Sequence, residues 1–240
     1  ILDVNSVSLG AGVTLVHDDC CNSSVTVVND IVFGTGSSFI PKPTSTVTIT
    51  DGEAVHKVEV KDDKWHLISS PVGAEQYDDA WVTANGIASG TGNNKGISTY
   101  DNGTLDVTTG PWRYYQAGAT ATTFGAGVGY ALKATDATGD IYEFTGMHQT
   151  GTISPAITQD VTNYNLVGNP YNAYIDVAAF ITENTAKLPA SAQTIYVWDA
   201  ANATYTGLTS GYLQPGQGFF VDSDVASSTV DFTAAMQGHD

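Results

Sequence analysis

The sequence predicts an all-β protein whose centre is an antiparallel β unit, duplicated in tandem and packed as a sandwich with approximate two-fold symmetry. Charged residues make up only 14% of the chain, so its polar surface must come largely from Thr, Ser, Asn and Gly, which favour strand edges and turns. Residues with high helix propensity are scarce, since the chain has only five Glu and seven Lys. The third observation is a set of sequence landmarks that occurs twice in the same order.

Residues 1–62 are predicted to form an N-terminal segment of short strands. Segments such as Val7–Leu9, Val25–Val27 and Ile31–Phe33 alternate apolar residues with small or polar ones, and turns rich in Gly, Ser or Asn separate them. Many short strands with such corners are typical of the rungs of a β-solenoid and equally of an additional small sheet. The sequence leaves both architectures open.

The duplicated β-sandwich is predicted to span residues 63–240. Trp65–Pro71 and Tyr164–Pro170, 99 residues apart, each combine an aromatic residue, an apolar pair and a proline. The copies are expected at about residues 64–146 and 163–234, and the first carries about ten extra residues between its second and third landmarks. Short helical turns are predicted at Glu75–Trp81 and Asp176–Glu183. The other landmark pairs are Trp81 and Phe180, Gly127–Leu132 and Gly216–Val221, and Ile141–Thr145 and Thr229–Thr233.

The charge of the chain excludes several classes of partner. Its net charge of −17 arises from 25 acidic residues against eight basic ones, and Arg113 is the only arginine. Phosphate groups are bound through clustered Lys and Arg, so a nucleic acid or an anionic membrane surface is not expected as a partner. No apolar run approaches the roughly 18 residues of a spanning helix, so membrane insertion is not expected either. A strongly acidic surface suits an extracellular protein.

The two ends and the cysteines add little about function. The chain begins in strand-like sequence at Ile1–Val4 without a secretion signal, so it is expected to be an interior fragment beside other domains of a longer polypeptide. A disulfide between the adjacent Cys20 and Cys21 would be strained, because neighbouring Cα atoms lie about 3.8 Å apart and disulfides prefer about 4.4–6.8 Å. A vicinal disulfide and free or intermolecular thiols both stay open. Neither indicates a redox enzyme, because no C-x-x-C motif is present.

The sequence contains none of the familiar catalytic patterns, so a non-enzymatic role is predicted. It has no G-x-S-x-G elbow, H-E-x-x-H motif or P-loop, and its five histidines do not show the spacing of zinc ligands. Glycoside hydrolysis requires two carboxylates that face each other across a cleft. Glu143 aligns with Asp231 at an outward position between core-facing residues, and a solvated strand face explains it better than a catalytic acid.

Oxygen-rich turns make calcium the best candidate for a bound metal. Calcium takes six to eight oxygen ligands, and carboxylates, amides and carbonyls from such turns could supply them. Asp and Asn also cap turns in the absence of any metal, which is the alternative interpretation. The candidate calcium ligands are Asp18, Asp19, Asp101, Asn102 and Asp106.

The aromatic segment Trp112–Tyr115 is the best candidate for a ligand-binding surface. Flat aromatic rings stack on sugars, and Tyr and Trp are frequent anchors at binding surfaces. In a strand, Trp112 and Tyr114 would share one face, while Arg113 and Tyr115 would share the other. One of the two faces is expected to be core, and packing alone is the alternative for the whole segment. The other tryptophans, Trp65, Trp81 and Trp198, are predicted to be core residues.

At Trp65–Val72, and again at Leu166–Tyr171 and Ile175–Asp176, the sequence resembles a recurrent module of secreted Bacteroidota proteins. Such modules commonly lie just before the C-terminal sorting domain of type IX secretion cargo, and residues 1–60 are similar to the β-solenoid-like segments that often precede them. The resemblance covers residues 60–234 and implies an extracellular or cell-surface location. It implies no catalytic residues, because these modules accompany adhesins and enzymes alike. It continues through Ile195–Asp199, Gly216–Val221 and Phe232–Thr233.

Together these features predict a non-catalytic structural or adhesion module of a large secreted or cell-surface protein. Its expected partners are surface glycans or other extracellular proteins. The alternative is a carbohydrate-binding module attached to a polysaccharide-degrading enzyme. Binding to a glycan array that is lost with Trp112 or Tyr114 would favour the alternative.

Overall fold

The computed structural model of the protein describes residues 2–17, 24–41, 46–104, 106 and 108–239. Over these residues the structure consists mainly of β-strands, with two short α-helices and one 3-10 helix at Ala234–Met236. The predicted all-β class is confirmed. None of the helices in the described residues is long and apolar enough to cross a membrane.

The first eight strands stack in parallel on three faces. Leu2 pairs with Val25, and Val25 pairs with Val47, so one turn of the chain takes about 23 residues. The stacks are β1–β4–β7, β2–β5–β8 and β3–β6, so the segment is a three-sided β-solenoid, one of the two architectures that the sequence left open. The strands are β1 (Leu2–Val4), β2 (Val7–Leu9), β3 (Thr14–His17), β4 (Ser24–Val27), β5 (Ile31–Phe33), β6 (Ser38–Pro41), β7 (Thr46–Ile49) and β8 (Ala54–Val60).

Period-two alternation and a tight corner explain why these residues form rungs. Val27, Ile31 and Phe33 are buried and face the interior of the solenoid. At the corner after β5, a Cβ on Gly34 would lie only 2.8 Å from the backbone nitrogen of Ala11 in the preceding rung. Glycine is required there because the two rungs touch through their backbones.

The next nine elements form the first half of the remaining chain. Strand β8 of the solenoid pairs along seven residues with β16 of this half, so one sheet, β10–β16–β8–β5–β2, joins the two parts. The expected domain limit at residues 62 and 63 falls in the turn after β8. The elements are β9 (Trp65–Ser69), β10 (Val72–Gly73), β11 (Gln76–Tyr77), α1 (Asp79–Ala84), β12 (Asn94–Tyr100), β13 (Trp112–Gln116), β14 (Thr122–Thr123), β15 (Gly129–Lys133) and β16 (Asp140–His148).

The second half repeats the strand order of the first. Its four-stranded sheet runs β18–β23–β20–β21, and the corresponding sheet of the first half runs β9–β15–β12–β13. In both sheets, counted in the spatial order just given, the four strands occupy the first, third, fourth and second positions as they follow one another along the chain. The elements are β17 (Ala156–Thr158), β18 (Tyr164–Gly168), β19 (Tyr174–Asp176), α2 (Val177–Glu183), β20 (Ile195–Asp199), β21 (Thr204–Leu208), β22 (Tyr212–Leu213), β23 (Gly218–Asp222), β24 (Ser227–Thr229) and β25 (Gln237–Gly238).

The two four-stranded sheets contact each other through reciprocal backbone hydrogen bonds. The N–H of Ser69 donates to the carbonyl of Gly216 at 2.7 Å, and the N–H of Gly168 donates to the carbonyl of Gly127 at 2.9 Å. In the sequence landmarks Ser69 corresponds to Gly168, and Gly216 corresponds to Gly127. The two hydrogen bonds are therefore equivalent contacts, each made by the opposite half. The matching orders and contacts are what the sequence-based prediction of a duplication leads one to expect.

Both α-helices begin after an aspartate that caps their first turn. Asp176 caps α2 by accepting from the N–H of Ala179 at 3.0 Å, which agrees with the predicted turn at Asp176–Glu183. The prediction for Glu75–Trp81 was wrong by four residues at the start. Gln76–Tyr77 pairs as a strand with β14, and Asp78 caps α1 by accepting from the N–H of Trp81 at 2.8 Å.

A buried polar junction joins the solenoid to both halves. Asn172 accepts a hydrogen bond at 2.7 Å from Nδ1 of His148, and its amide nitrogen lies 3.0 Å from Nδ1 of His56. The ring of Phe33 stacks on both imidazoles. Burial and the neighbouring His148 lower the pKa of His56 to about 3, and burial also lowers the pKa of His148.

Candidate functional site

Glycines allow the two four-stranded sheets to approach closely at Gly129 and Gly218. A Cβ on Gly129 would lie 2.7 Å from Cγ of Leu166, and a Cβ on Gly218 would lie 2.8 Å from the backbone nitrogen of Ile68. Away from this contact, both sheets carry large rings on the faces that turn toward each other. We call this surface the aromatic groove; its rings are Trp65, Tyr100, Trp112, Tyr114, Tyr164, Tyr196, Trp198, Tyr205 and Phe220.

Contacts between rings fix the shape of the aromatic groove. Tyr100 meets Phe220 of the other sheet edge to face, with ring centroids 4.8 Å apart, and Trp112 lies 5.3 Å from Tyr100. Nε1 of Trp198 donates to the backbone carbonyl of Trp65 at 2.8 Å and so ties the sheets together. The rings are therefore held in place before any ligand arrives.

The groove contains two cavities with uncharged linings. The smaller one, the Trp65 cavity, has a volume of about 260 Å³, and the larger one, the Tyr164 cavity, about 480 Å³. Trp112 and Tyr205 line both. The Tyr164 cavity is in the range of small-ligand sites, about 300–1,000 Å³, and the Trp65 cavity is slightly smaller than that range. The Trp65 cavity is lined by Trp65, Leu67, Ser98, Trp112, Tyr114, Ala131, Trp198 and Tyr205, and the Tyr164 cavity by Tyr100, Trp112, Tyr164, Tyr196, Tyr205, Gly207 and Phe220.

Several ring edges in the groove are polar and available to a ligand. The side chains of Tyr164 and Tyr205 are 43% and 46% exposed. Within the described residues, their hydroxyl groups and those of Tyr114 and Tyr196 make no hydrogen bond to protein, whereas the Tyr100 hydroxyl lies 3.2 Å from Oγ1 of Thr162. The groove thus offers apolar ring faces together with hydroxyl donors and acceptors.

The structure separates the four residues of the predicted binding segment as strand alternation required. Trp112 and Tyr114 line the groove, whereas Tyr115 is buried on the other face and packs against Tyr77. Arg113 also lies outside the groove lining. Its guanidinium donates to the carbonyls of Gly110 and Thr104 at 2.9 and 2.8 Å. Trp112 and Tyr114 are therefore brought together in the groove. Tyr115 packs in the core, and Arg113 stabilises the loop before its strand.

The groove also contains residues that the sequence did not single out. Trp65 and Trp198 were predicted to be core but are only half buried, and both line the Trp65 cavity. Trp81, in contrast, is buried as predicted. The missed groove residues are Tyr100, Tyr164, Tyr196, Tyr205 and Phe220; alternation within each strand places Tyr196 and Trp198 on one face, but it does not identify the facing sheet.

The described calcium candidates act as turn caps and as a contact between the halves. Asp106 accepts from the N–H groups of Thr108 and Thr109 at 2.7 and 3.0 Å. Asp101 accepts from the N–H of Gly103 at 3.0 Å. The buried amide of Asn102 donates to the carbonyl of Thr158 and lies near Asn165, both in the second half. The other two candidates, Asp18 and Asp19, lie outside the described residues.

Calcium binding stays a prediction. Among the residues that the structure describes, no three His, Cys, Asp or Glu side chains are grouped as metal ligands. A bound ion would raise the melting midpoint in proportion to the logarithm of its concentration over its Kd. Calorimetry in calcium and in EDTA checks this: a higher midpoint in calcium is expected from a site, and equal midpoints contradict one.

A separate cavity of about 460 Å³ beside α1 contains a carboxyl group with an unusual pKa. Burial raises the pKa of Glu75 to about 7, although its carboxylate accepts from the N–H of Thr145. Glu143 lines the same cavity and lies 3.4 Å from Nζ of Lys57. As predicted, Glu143 is an exposed residue between two buried ones, Tyr142 and Phe144. The cavity thus contains one acid that titrates near neutrality and one carboxylate paired with lysine.

Comparison with known proteins identifies the family of the chain. A family model described as a domain of unknown function, DUF8693, matches residues 23–210. The matched stretch includes eight of the nine rings of the aromatic groove; Phe220 lies beyond it. No curated protein and no solved structure matches the chain significantly.

Proposed function

We propose that this chain, which belongs to the DUF8693 family, is a non-catalytic adhesion module that binds carbohydrate in its aromatic groove. The observation that carries the proposal is the groove itself, a row of nine positioned rings around two uncharged cavities. A domain without a partner for such a surface rarely exposes it. The acidic composition and the resemblance to secreted Bacteroidota modules support placement on an extracellular or cell-surface protein, with type IX secretion as its route.

The chemistry of the groove favours a sugar over other ligands. Aromatic faces stack on the apolar faces of sugar rings, while the tyrosine hydroxyls can exchange hydrogen bonds with sugar hydroxyls. The cavity linings contain no charged side chain in a protein of net charge −17, which favours a neutral ligand. A third cavity of about 290 Å³ at the groove's border shares Trp65 and Tyr114 and is also lined by Asn94 and by two cationic residues, Lys95 and Lys133.

The competing proposal is a stalk without a ligand. The sheet that joins the solenoid to the first half supports a stiff spacer, and in that case the groove rings would only pack the sheets together. The two proposals differ in one respect that is open to measurement. A spacer needs no exposed ring edges, whereas a binding module loses affinity when such a ring is removed.

Two exposed tyrosines provide a matched test. Tyr205 in the groove and Tyr212 outside it are similarly exposed, 46% and 41%. Tyr205 also contacts the rings of Trp198 and Phe220, so the melting midpoint of each variant must be measured beside its affinity. After a glycan array has identified a bound sugar, we expect Tyr205→Ala to weaken its binding about tenfold in calorimetric titration, as for loss of an aromatic anchor. Tyr212→Ala should bind like the wild type. Equal affinities for the two variants would favour the stalk.

A further inference from the structure

The strand registers show which residues of the two halves correspond. Trp65 pairs with Lys133 at the end of β15, and Tyr164 pairs with Asp222 at the equivalent end of β23. In the outer strands, Tyr100 pairs with Trp112 in the first half. In the second half, Trp198 pairs with Tyr205. The counterparts are therefore Trp65 and Tyr164, Tyr100 and Trp198, and Trp112 and Tyr205.

The two cavities of the groove are themselves counterparts. All seven residues that line the Tyr164 cavity have their counterparts in the lining of the Trp65 cavity. Trp112 and Tyr205, which correspond to each other, are the two residues that line both cavities. The cavities therefore meet at this pair of rings and form a site that occurs twice, side by side, in one groove.

We propose that a single linear, neutral glycan occupies both cavities at once and crosses the groove over Trp112 and Tyr205. This rests on the proposed carbohydrate binding. Two sites that share two rings are too close for two independent long chains. Repeated stacking sites in a row suit a repeating polymer, because the second unit binds at the high effective concentration set by the first. The linings of the two cavities contain no cationic side chain to pair with a polyuronate or sulfated chain, which favours a neutral one.

The two cavities differ in shape because three pairs of corresponding residues differ greatly in size. This difference gives the bound chain a direction. At corresponding positions the Trp65 cavity has small residues, Ser98 and Ala131, where the Tyr164 cavity has Tyr196 and Phe220. At the third position the difference is reversed, with Tyr114 in the first cavity and Gly207 in the second. A glycan has different ends, and unequal cavities favour one of its two orientations.

Calorimetric titration of the full chain with oligosaccharides of increasing length tests the proposal. The probes are β-1,4-linked gluco-, manno- and xylo-oligosaccharides from disaccharide to hexasaccharide, with an oligogalacturonide as the charged control. We expect the hexasaccharide of the preferred series to bind at least about tenfold more tightly than its disaccharide, with one chain per protein. Trp65→Ala and Tyr164→Ala should each weaken hexasaccharide binding about tenfold, while Tyr212→Ala should not.

The outcomes separate this inference from the proposed function. Three results would overturn the two-cavity chain and leave carbohydrate binding intact. They are an affinity that does not depend on oligosaccharide length, binding of two hexasaccharides per protein, and a loss of affinity in only one of Trp65→Ala and Tyr164→Ala. Tighter binding of the oligogalacturonide than of the neutral probes would also overturn it. If the folded protein binds none of these probes but binds another glycan on an array, this inference fails and the proposed function stands. If it binds no glycan at all, both fail.

Discussion

Acidification from pH 7 to pH 5 is expected to lower the free energy of unfolding by about 2 kcal/mol through His56 alone, with a further loss through His148. Both are buried at the junction with Asn172 and have lowered pKa values. The folded protein keeps them neutral, whereas the unfolded chain takes up protons below its ordinary histidine pKa of 6.5. The stability that depends on keeping these histidines neutral is therefore present above pH 6.5 and is lost as the pH falls below 6.5.

Glu75 opposes this loss and provides an internal control. Its pKa is raised from 4.5 to about 7, so the stability it contributes is present below pH 4.5 and is lost as the pH rises through 7. Its carboxyl is partly exposed, and solvent screening reduces the effect. We expect urea unfolding of Glu75→Gln to show a steeper loss of stability from pH 7 to pH 5 than the wild type. A Glu75→Gln variant whose stability is constant over this range would contradict the account of the histidines.

Truncation of Trp112 is expected to have the largest effect on binding, about a hundredfold loss of affinity. This ring lines both cavities, so its removal takes a stacking surface from each, and two anchor losses of about 1.4 kcal/mol correspond to that factor. The change also removes contacts with Tyr100 and Phe220, and half-buried packing of this kind costs about 2 kcal/mol of stability. Thermal melting must therefore accompany the titration.

The conservative variant Trp112→Phe separates binding from folding. It keeps a flat ring between the cavities and should recover at least part of the affinity that Trp112→Ala loses, with a melting midpoint near that of the wild type. A folded Trp112→Ala protein that binds the glycan as tightly as the wild type would contradict a binding role for this ring.

Local patterns in the sequence predicted local structure well. Alternation along β13 correctly placed Trp112 and Tyr114 on one face and Tyr115 on the other, because side chains in any strand point alternately to its two sides. The alternation of apolar and polar residues could not distinguish a solenoid from a flat sheet, because both contain strands with one buried face. That distinction depends on which strands pair, and the pairing of Leu2 with Val25 follows from the whole turn of the chain.

The groove could not be predicted because its parts come from distant positions. Trp112 contacts Phe220, more than a hundred residues later, and Nε1 of Trp198 reaches the carbonyl of Trp65 in the other half. A landmark position suggested that Trp65 was core, since conspicuous aromatics usually are. Trp65 is only half buried because the other half leaves a cavity beside it, and a single strand carries no signal of how the other half packs against it.

The most direct test of carbohydrate binding is a calorimetric titration of the folded wild-type chain with the neutral linear glycan selected on an array. Saturable binding of one glycan chain per protein, lost in Trp112→Ala and kept in Tyr212→Ala, is the expected result. A wild-type protein that melts cooperatively and yet gives no binding to any neutral glycan would contradict it, and the aromatic groove would then be only the packing surface of a stalk.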